Sequence, residues 1–147
     1  MFKNILVPSD GSDFSNKAAS VAAGLAHSLQ ATLLVLHVRS PIDSPHHTEG
    51  GALTQLGEKI IKHETEDEER KLLDAALKLA AANATIAEAA FVAGYSPYEA
   101  IIRIAEEHRC DLIVMASHGR RGLAGLLIGS ETQKVLTHTA IPVLVVR

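Results

Sequence analysis

Two places in the sequence carry residues whose types and spacing suit the holding of a phosphorylated ligand. The first is "ASHGRRGLAGLLIGSETQ" (116–133), in which four glycines and two arginines follow the apolar run "DLIVM" and lead into Ser-x-x-Gln. Gly129 ahead of a helix lets a backbone approach a ligand closely. The first amides of that helix, at Ser130, Glu131 and Thr132, point outward with the positive end of the helix dipole. Arg120 and Arg121 would add charge, and the Ser130 hydroxyl would reach a phosphate or a metal. The same four residues, Ser130 to Gln133, also read as a capping box that needs no ligand, and Gly122 and Gly125 as relief for a tight path. The second place is "PSDGSD" (8–13), a turn cluster behind the apolar "NILVP".

Neither place matches a better-defined phosphate motif. Gly129-Ser130 lacks the lysine of a Walker A loop, and no G-x-G-x-x-G is present. His118 beside the glycine stretch reads as a base or, more simply, as a loop side chain touching ligand. No nucleophile and base are paired in the sequence, so no catalytic residue is expected. His46 and His47 are adjacent, while His27, His63 and His138 lie apart, and no pair has the i, i+4 spacing of a helical zinc site. No metal site made by protein side chains alone is expected. His37, inside an apolar run, reads as a packed or hydrogen-bonded histidine.

Elements able to position these residues are legible in the patterning. "NILVP" (4–8), "TLLVLHV" (32–38), "DLIVMAS" (111–117) and "IPVLVVR" (141–147) are short, near-continuous apolar runs, as strands covered on both faces are. Helical spacing of alanine and leucine predicts a helix from about Ser15 to Gln30. Residues 52–83 read helical, as one helix or two, with Asn83 as a stop and the charged "HETEDEERK" as a solvated face. "SPYEAIIRIAEEH" (96–108) opens with Ser as N-cap and Pro at the first helical position, and Ser130 begins a further helix. "TIAEAAFVAG" (85–94) is ambiguous: alanine favours helix, while alternation, Phe91, Val92 and Gly94 favour strand, which is the assignment made. Strand and helix then alternate throughout. That predicts an α/β fold with a mainly parallel five-stranded sheet and helices on both faces. In the order 3-2-1-4-5, the loops after the first and fourth strands share one crevice at the carboxyl ends of the strands, and Asp10 faces the glycine stretch.

Bulk composition bounds the function. The 147 residues suit a single domain, 1–147, and the 47% hydrophobic and 21% charged content is globular. Aromatics are only 3%, so the core must be Ala, Val, Leu and Ile. A net charge of −3 gives no electrostatic case for nucleic acid or an anionic membrane. The first residues lack a basic region followed by an apolar one, which predicts no signal peptide. The one cysteine, Cys110, fits a reducing compartment and reads as a structural thiol.

Taken together, "ILVPSDGS", "LLVLHV", "VAGYSPYEAII", "DLIVMASHGRRGL", "GSETQKVL" and "IPVLVVR" make the chain resemble the universal stress protein family from end to end. Nucleotide-binding members carry G-x-x-G, nine residues, then Gly and Ser or Thr. Here Gly119 is the second glycine, nine residues follow, and Gly129-Ser130 completes the motif, while Ala116 replaces the first glycine. In the family that position lies near the sugar, where a methyl either crowds the ligand or is accommodated. The resemblance implies that Asp10 and Val38 meet the adenosine end and that Pro8 and Ser9 shape its wall. Gly94 would line the base side. Gly119, Gly129, Ser130 and Glu131 would take the phosphates, mostly through backbone amides, with Arg120, His118 and Thr132 alongside. The Glu131 carboxylate would repel a phosphate unless it turns outward or shares a metal.

What the resemblance implies is a flavodoxin-like sheet of the adenine nucleotide alpha hydrolase-like type and a cytoplasmic homodimer. It also implies ATP, or another adenine nucleotide, bound with Mg²⁺ or Mn²⁺ as a regulatory ligand in a stress response that involves a signalling partner. Two other readings are weighed against it: a slow ATP hydrolase, and a dimeric interaction protein without nucleotide. The run 141–147 ends the chain as an apolar edge strand in the order 3-2-1-4-5. Pairing with its copy in a second subunit would bury Val143 and Val145, or Leu144 and Val146.

Overall fold

Strand and helix alternate through the computed structural model of the chain, which describes residues 1–39, 55–83, 85–118 and 128–147. The elements are β1 (Asn4–Pro8), α1 (Asp13–Leu29), β2 (Thr32–Arg39), α2 (Gln55–Asn83), β3 (Ala87–Ala93), α3 (Pro97–Glu107), β4 (Leu112–Ala116), α4 (Ser130–His138) and β5 (Val143–Val146). The strands form one sheet in the order β3-β2-β1-β4-β5, and all four pairings are parallel. The sheet is therefore wholly parallel, in the expected order.

Period-two alternation divides the strand residues between two cores. Ile5, Val7, Leu33, Val35, Leu112 and Val114 pack beneath α1 and α2, against Ala18, Ala22, Ala26 and Ala76. Leu6, Leu34, Leu36, Ile113 and Met115 face the other way, against Ile101, Ile104 and Ala105 of α3 and Val135 of α4. Small alanines on α1 let that helix lie close to the sheet without aromatic filling. Cys110 is buried in the second core. Burial, helped by the Asp111 carboxylate, pushes its thiol from an ordinary 9.0 up to about 11, so it is an inert structural thiol.

Several boundaries differ from the expected ones for local reasons. Helix α1 starts at Asp13, ahead of the expected Ser15, because the Ser12 hydroxyl accepts the Ser15 amide at 3.2 Å and caps it. The stretch ending at Asn83 is one helix, and in its charged run His63, Glu66, Asp67, Glu68 and Arg70 are exposed while Glu69 is half-buried. Alanine-rich 85–94 is a strand, because β2 offers it a full ladder from Leu33↔Ala87 to Arg39↔Ala93; tertiary pairing overrides the helix propensity of alanine. No helix among the described residues is long and apolar enough to cross a membrane.

At the amino edge of the sheet, β1 and the start of β4 are clamped. Both carboxylate oxygens of Asp111 accept the Lys3 amide, at 3.0 and 2.8 Å, and Oδ1 also accepts the Asn4 amide at 3.0 Å. The Asn4 side chain donates back to the Arg109 carbonyl at 3.2 Å. The carboxyl edge is left to the loops.

Candidate functional site

The loop between β1 and α1 is built around Ser9. Its amide donates to the Leu36 carbonyl at 2.8 Å, and its carbonyl accepts from Nδ1 of His37 at 2.8 Å. Asp10 follows, and its Oδ1 accepts the Ser12 amide at 3.0 Å, an Asx turn that leads into the helix cap. Gly11 between them has φ 78°, a left-handed conformation that favours glycine, and its amide donates to Ser9 Oγ at 3.4 Å. The turn is thus specified by Ser9, Asp10, Gly11 and Ser12 together.

The exit of β4 is stitched to the first turn of α4. The Gly129 amide donates to the Ser117 carbonyl at 2.7 Å, and Thr132 Oγ1 donates to the Ala116 carbonyl at 2.9 Å. A Cβ at Gly129 would lie 3.1 Å from that same Ser117 oxygen and 3.5 Å from His118 Cα. The space at Gly129 is thus restricted by the chain's own backbone.

The capping box is not formed. Gly129, extended at φ −67° and ψ 153°, is itself the N-cap, and among the described residues no side-chain cap bond is made. Ser130 is already the first helical residue, one position too late to cap. The Glu131 carboxylate is directed at a different helix: Oε2 accepts the Tyr98 amide in the first turn of α3 at 2.9 Å, and Oε1 meets Lys134 Nζ at 2.8 Å. The bond to Glu131 raises the Lys134 ammonium above its ordinary value. Ser96, expected to cap α3 with its side chain, makes no side-chain cap bond; Glu131 supplies that acceptor instead. The amino end of α4 therefore combines N–H donors without a side-chain cap and a carboxylate turned away from them. These residues fit an anionic group.

The two loops meet. His118 stacks obliquely on Phe14 in the first turn of α1, with ring centroids 6.0 Å apart, and its Nδ1 lies 3.0 Å from Ser117 Oγ. Ser117 is 2% exposed, so this contact orients the imidazole and does not present a nucleophile. Farther along the same edge, Gly94 lies beside Val38: a Cβ there would be 3.9 Å from Val38 Cγ1, and the Gly94 amide bonds the Arg39 carbonyl at 3.0 Å. Pro8, Ser9, Asp10, Val38, Gly94, Ala116, His118, Gly129, Ser130, Glu131 and Thr132 thus all stand at the carboxyl edge of the sheet or in the loops and helix starts just beyond it. Gly119 and Arg120 lie outside the described residues, as do Arg121, His46 and His47.

The Ala116 methyl packs with the α1-side core. Among the described residues no group of three or more His, Cys, Asp or Glu side chains is arranged to hold a metal ion. Two features escaped the motif reading. Ser12 as the α1 cap had a signal, the spacing Ser12-x-x-Ser15. The reach of Glu131 to Tyr98 had none, because the two residues are 33 apart in sequence.

With this geometry in place, comparison with known proteins is informative. The model of the universal stress protein family matches residues 1–147. The universal stress protein YxiE of Bacillus subtilis is 36% identical over 151 residues, covering 100% of both chains. The solved structure of universal stress protein UspA from Lactobacillus plantarum superposes with a TM-score of 0.81 at 29% identity, covering 99% of this chain and 97% of that one. A universal stress protein crystallised in complex with cAMP superposes with a TM-score of 0.68 at 26% identity, covering 99% and 97%.

Proposed function

The chain belongs to the universal stress protein family, and on that premise we propose that it binds an adenine nucleotide as a regulatory ligand. The ligand would be ATP with Mg²⁺ or Mn²⁺, held in the crevice between the loops after β1 and β4. The observation that carries this reading is the amino end of α4, which among the described residues has no side-chain cap and has the Glu131 carboxylate pointed at Tyr98. A capping box would have used those amides; its absence leaves the ligand reading of the same residues. The cAMP complex of a similar protein supports an adenine nucleotide.

Gly129, Ser130, Glu131 and Thr132 would offer backbone amides to the phosphates, with Gly119, Arg120 and His118 beside them. Asp10 and Val38 would meet adenosine, Pro8 and Ser9 would wall it, and Gly94 would line the base. The Ser130 hydroxyl would face the metal, which when bound offsets the charge of the phosphates. We read the molecule as a single-domain cytoplasmic protein that acts as a homodimer through β5, with the nucleotide as a signal and not a substrate. Slow ATP hydrolysis is the competing reading; multiple-turnover phosphate release abolished by Gly129→Val would favour it.

Calorimetry with ATP, ADP, AMP and cyclic AMP, with and without Mg²⁺, tests the proposal. Saturable binding of at least one adenine nucleotide is expected, with a matching rise in the thermal melt. Ligand at a hundred times its Kd stabilises by about 2.7 kcal/mol. A flat titration together with an unchanged melt would sink it and leave a dimeric interaction protein.

A further inference from the structure

We propose that His37 is the positioning residue of the nucleotide loop: its Nδ1–H, donated across the sheet edge to the Ser9 carbonyl, fixes the direction in which Asp10 leaves the sheet. This rests on the adenine-nucleotide reading above and deepens it by naming what sets the geometry of the adenosine end.

The acceptor decides the tautomer. A backbone carbonyl only accepts, so the contact of 2.8 Å requires the proton on Nδ1. In neutral His37 this selects the Nδ1–H tautomer, and the imidazolium carries the same proton, so the tie survives protonation at Nε2. The carbonyl concerned belongs to the peptide unit that joins Ser9 to Asp10. The preceding peptide unit is held by the Ser9 amide on the Leu36 carbonyl, also at 2.8 Å. Both peptide units around Ser9 are therefore pinned to consecutive residues of β2, Leu36 and His37. Parallel pairing places Pro8 opposite Leu36, so these bonds begin where the ladder of β1 ends and carry its alignment one residue beyond it.

Beyond Asp10 the chain relies on a left-handed Gly11 and on the Asx bond to Ser12. Ser12 in turn caps α1, which packs on the sheet and anchors the far end of the turn. The bonds to β2 tie the near end, at Ser9, directly to the sheet edge. Among the described residues the His37 ring makes this one hydrogen bond, to Ser9. The ring lies on the α1–α2 face of the sheet and lines a cavity of about 230 Å³ with Glu68, Glu69 and Phe91. Helix α4 packs on the opposite face through Val135. The influence of His37 on nucleotide therefore runs through Ser9 and Asp10, not through contact.

Two measurements on the full-length protein decide the matter. The first needs no nucleotide: ¹⁵N spectra of the imidazole. A protonated Nδ1 with unprotonated Nε2 in the neutral ring is expected; the reverse tautomer overturns the proposal. The second is titration of AMP and ATP into His37→Leu and His37→Asn, with thermal melts alongside. The Asn amide nitrogen sits close to where Nδ1 stood and can donate the same bond. Loss of the bond should weaken AMP and ATP alike, by about tenfold in His37→Leu, with His37→Asn returning to within about threefold of wild type. Equal weakening in both variants would mark a packing role only and overturn the proposal, as would wild-type affinity in His37→Leu. If wild type binds no adenine nucleotide, the proposed function fails. The positioning claim is then judged by the Asp10, Gly11 and Ser12 amide resonances, which must shift in His37→Leu and return in His37→Asn; resonances unmoved in His37→Leu refute it. Should His37→Leu fail to fold, His37→Gln, with its donor set one carbon farther out, takes its place under the same criteria.

Discussion

Glu131 stands in the first turn of α4, yet its carboxylate accepts the amide of Tyr98 at 2.9 Å and so caps α3. An acidic residue beside an expected phosphate site is thereby removed from it and given structural work on a neighbouring helix. Glu131→Ala should cost about 1 kcal/mol of stability, the usual loss when a helix loses its cap acceptor, while ATP affinity stays within about threefold of wild type. Denaturant melts and calorimetry check both halves. A large loss of ATP affinity in a folded Glu131→Ala protein would mean that the side chain, and not only its amide, serves the ligand.

Gly129 is constrained by the chain itself. A methyl would sit 3.1 Å from the Ser117 oxygen that already accepts the Gly129 amide, so any side chain must push the start of α4 away from the exit of β4. Gly129→Ala is expected to weaken ATP by roughly tenfold with AMP less affected, and Gly129→Val to abolish ATP binding with a native-like circular dichroism spectrum and a lower melting temperature. Normal ATP binding by Gly129→Val would remove the phosphates from this helix end.

Asp10 has two duties that a single truncation confuses. Its Oδ1 accepts the Ser12 amide at 3.0 Å, and its charge is expected to meet adenosine. Asp10→Asn keeps an oxygen for the turn and removes the charge, so its melt should stay close to wild type. ATP and AMP should both weaken, by a similar factor of roughly ten. A loss confined to ATP would put Asp10 at the phosphates through metal.

Ala116 replaces a motif glycine, and the side to which its methyl points decides whether it can crowd a nucleotide. It packs with the α1-side core, whereas α4 lies on the other face. Ala116→Gly should therefore lower stability by about 1 kcal/mol and leave nucleotide affinity unchanged. Tighter binding would show that the methyl crowds the ligand after all.

Among the described residues edge strand β5 pairs only with β4, and Leu144 within it is 38% exposed in the single chain. A lysine there tests assembly without disturbing the core. Light scattering should find a wild-type dimer and a Leu144→Lys monomer with an unchanged melt at low concentration; a wild-type monomer at tens of micromolar would refute the β5 interface.

How far the sequence alone reaches depends on whether the governing contact is local. The alternation of strands and helices follows from short-range patterning and was legible; the strand order is a long-range property and entered only as the arrangement usual for such a sheet. At Gly129 the sequence suggested close approach to a ligand, and the crowding by Ser117 and His118 of the same chain was not legible. The strand at Ala87–Ala93 was ambiguous because alanine carries little information without the ladder of β2. The two readings of Ser130 to Gln133 could not be separated in the sequence because one residue of offset, Gly129 as the N-cap, distinguishes a capping box from none. Glu131 to Tyr98, and His37 to Ser9, join residues 33 and 28 apart, and no local pattern announces either.

The Asp111 clamp has a consequence for the order of assembly. It joins Lys3 to a residue 108 positions later, and the pairing of β1 with β4 spans a similar length. Closing so long a segment is slow compared with joining β1 to β2 and β2 to β3, which lie closer in sequence. The half-sheet β3-β2-β1 is therefore expected to form first and the β1–β4 seam last. The crevice opens at the other end of that seam, so it comes into being only when the sheet is complete. A chain stalled during folding, or released before β4 docks, would present the Asp10 turn with nothing opposite it. Ligand capture at the proposed site would in this sense be a check on finished molecules, silent toward incomplete ones.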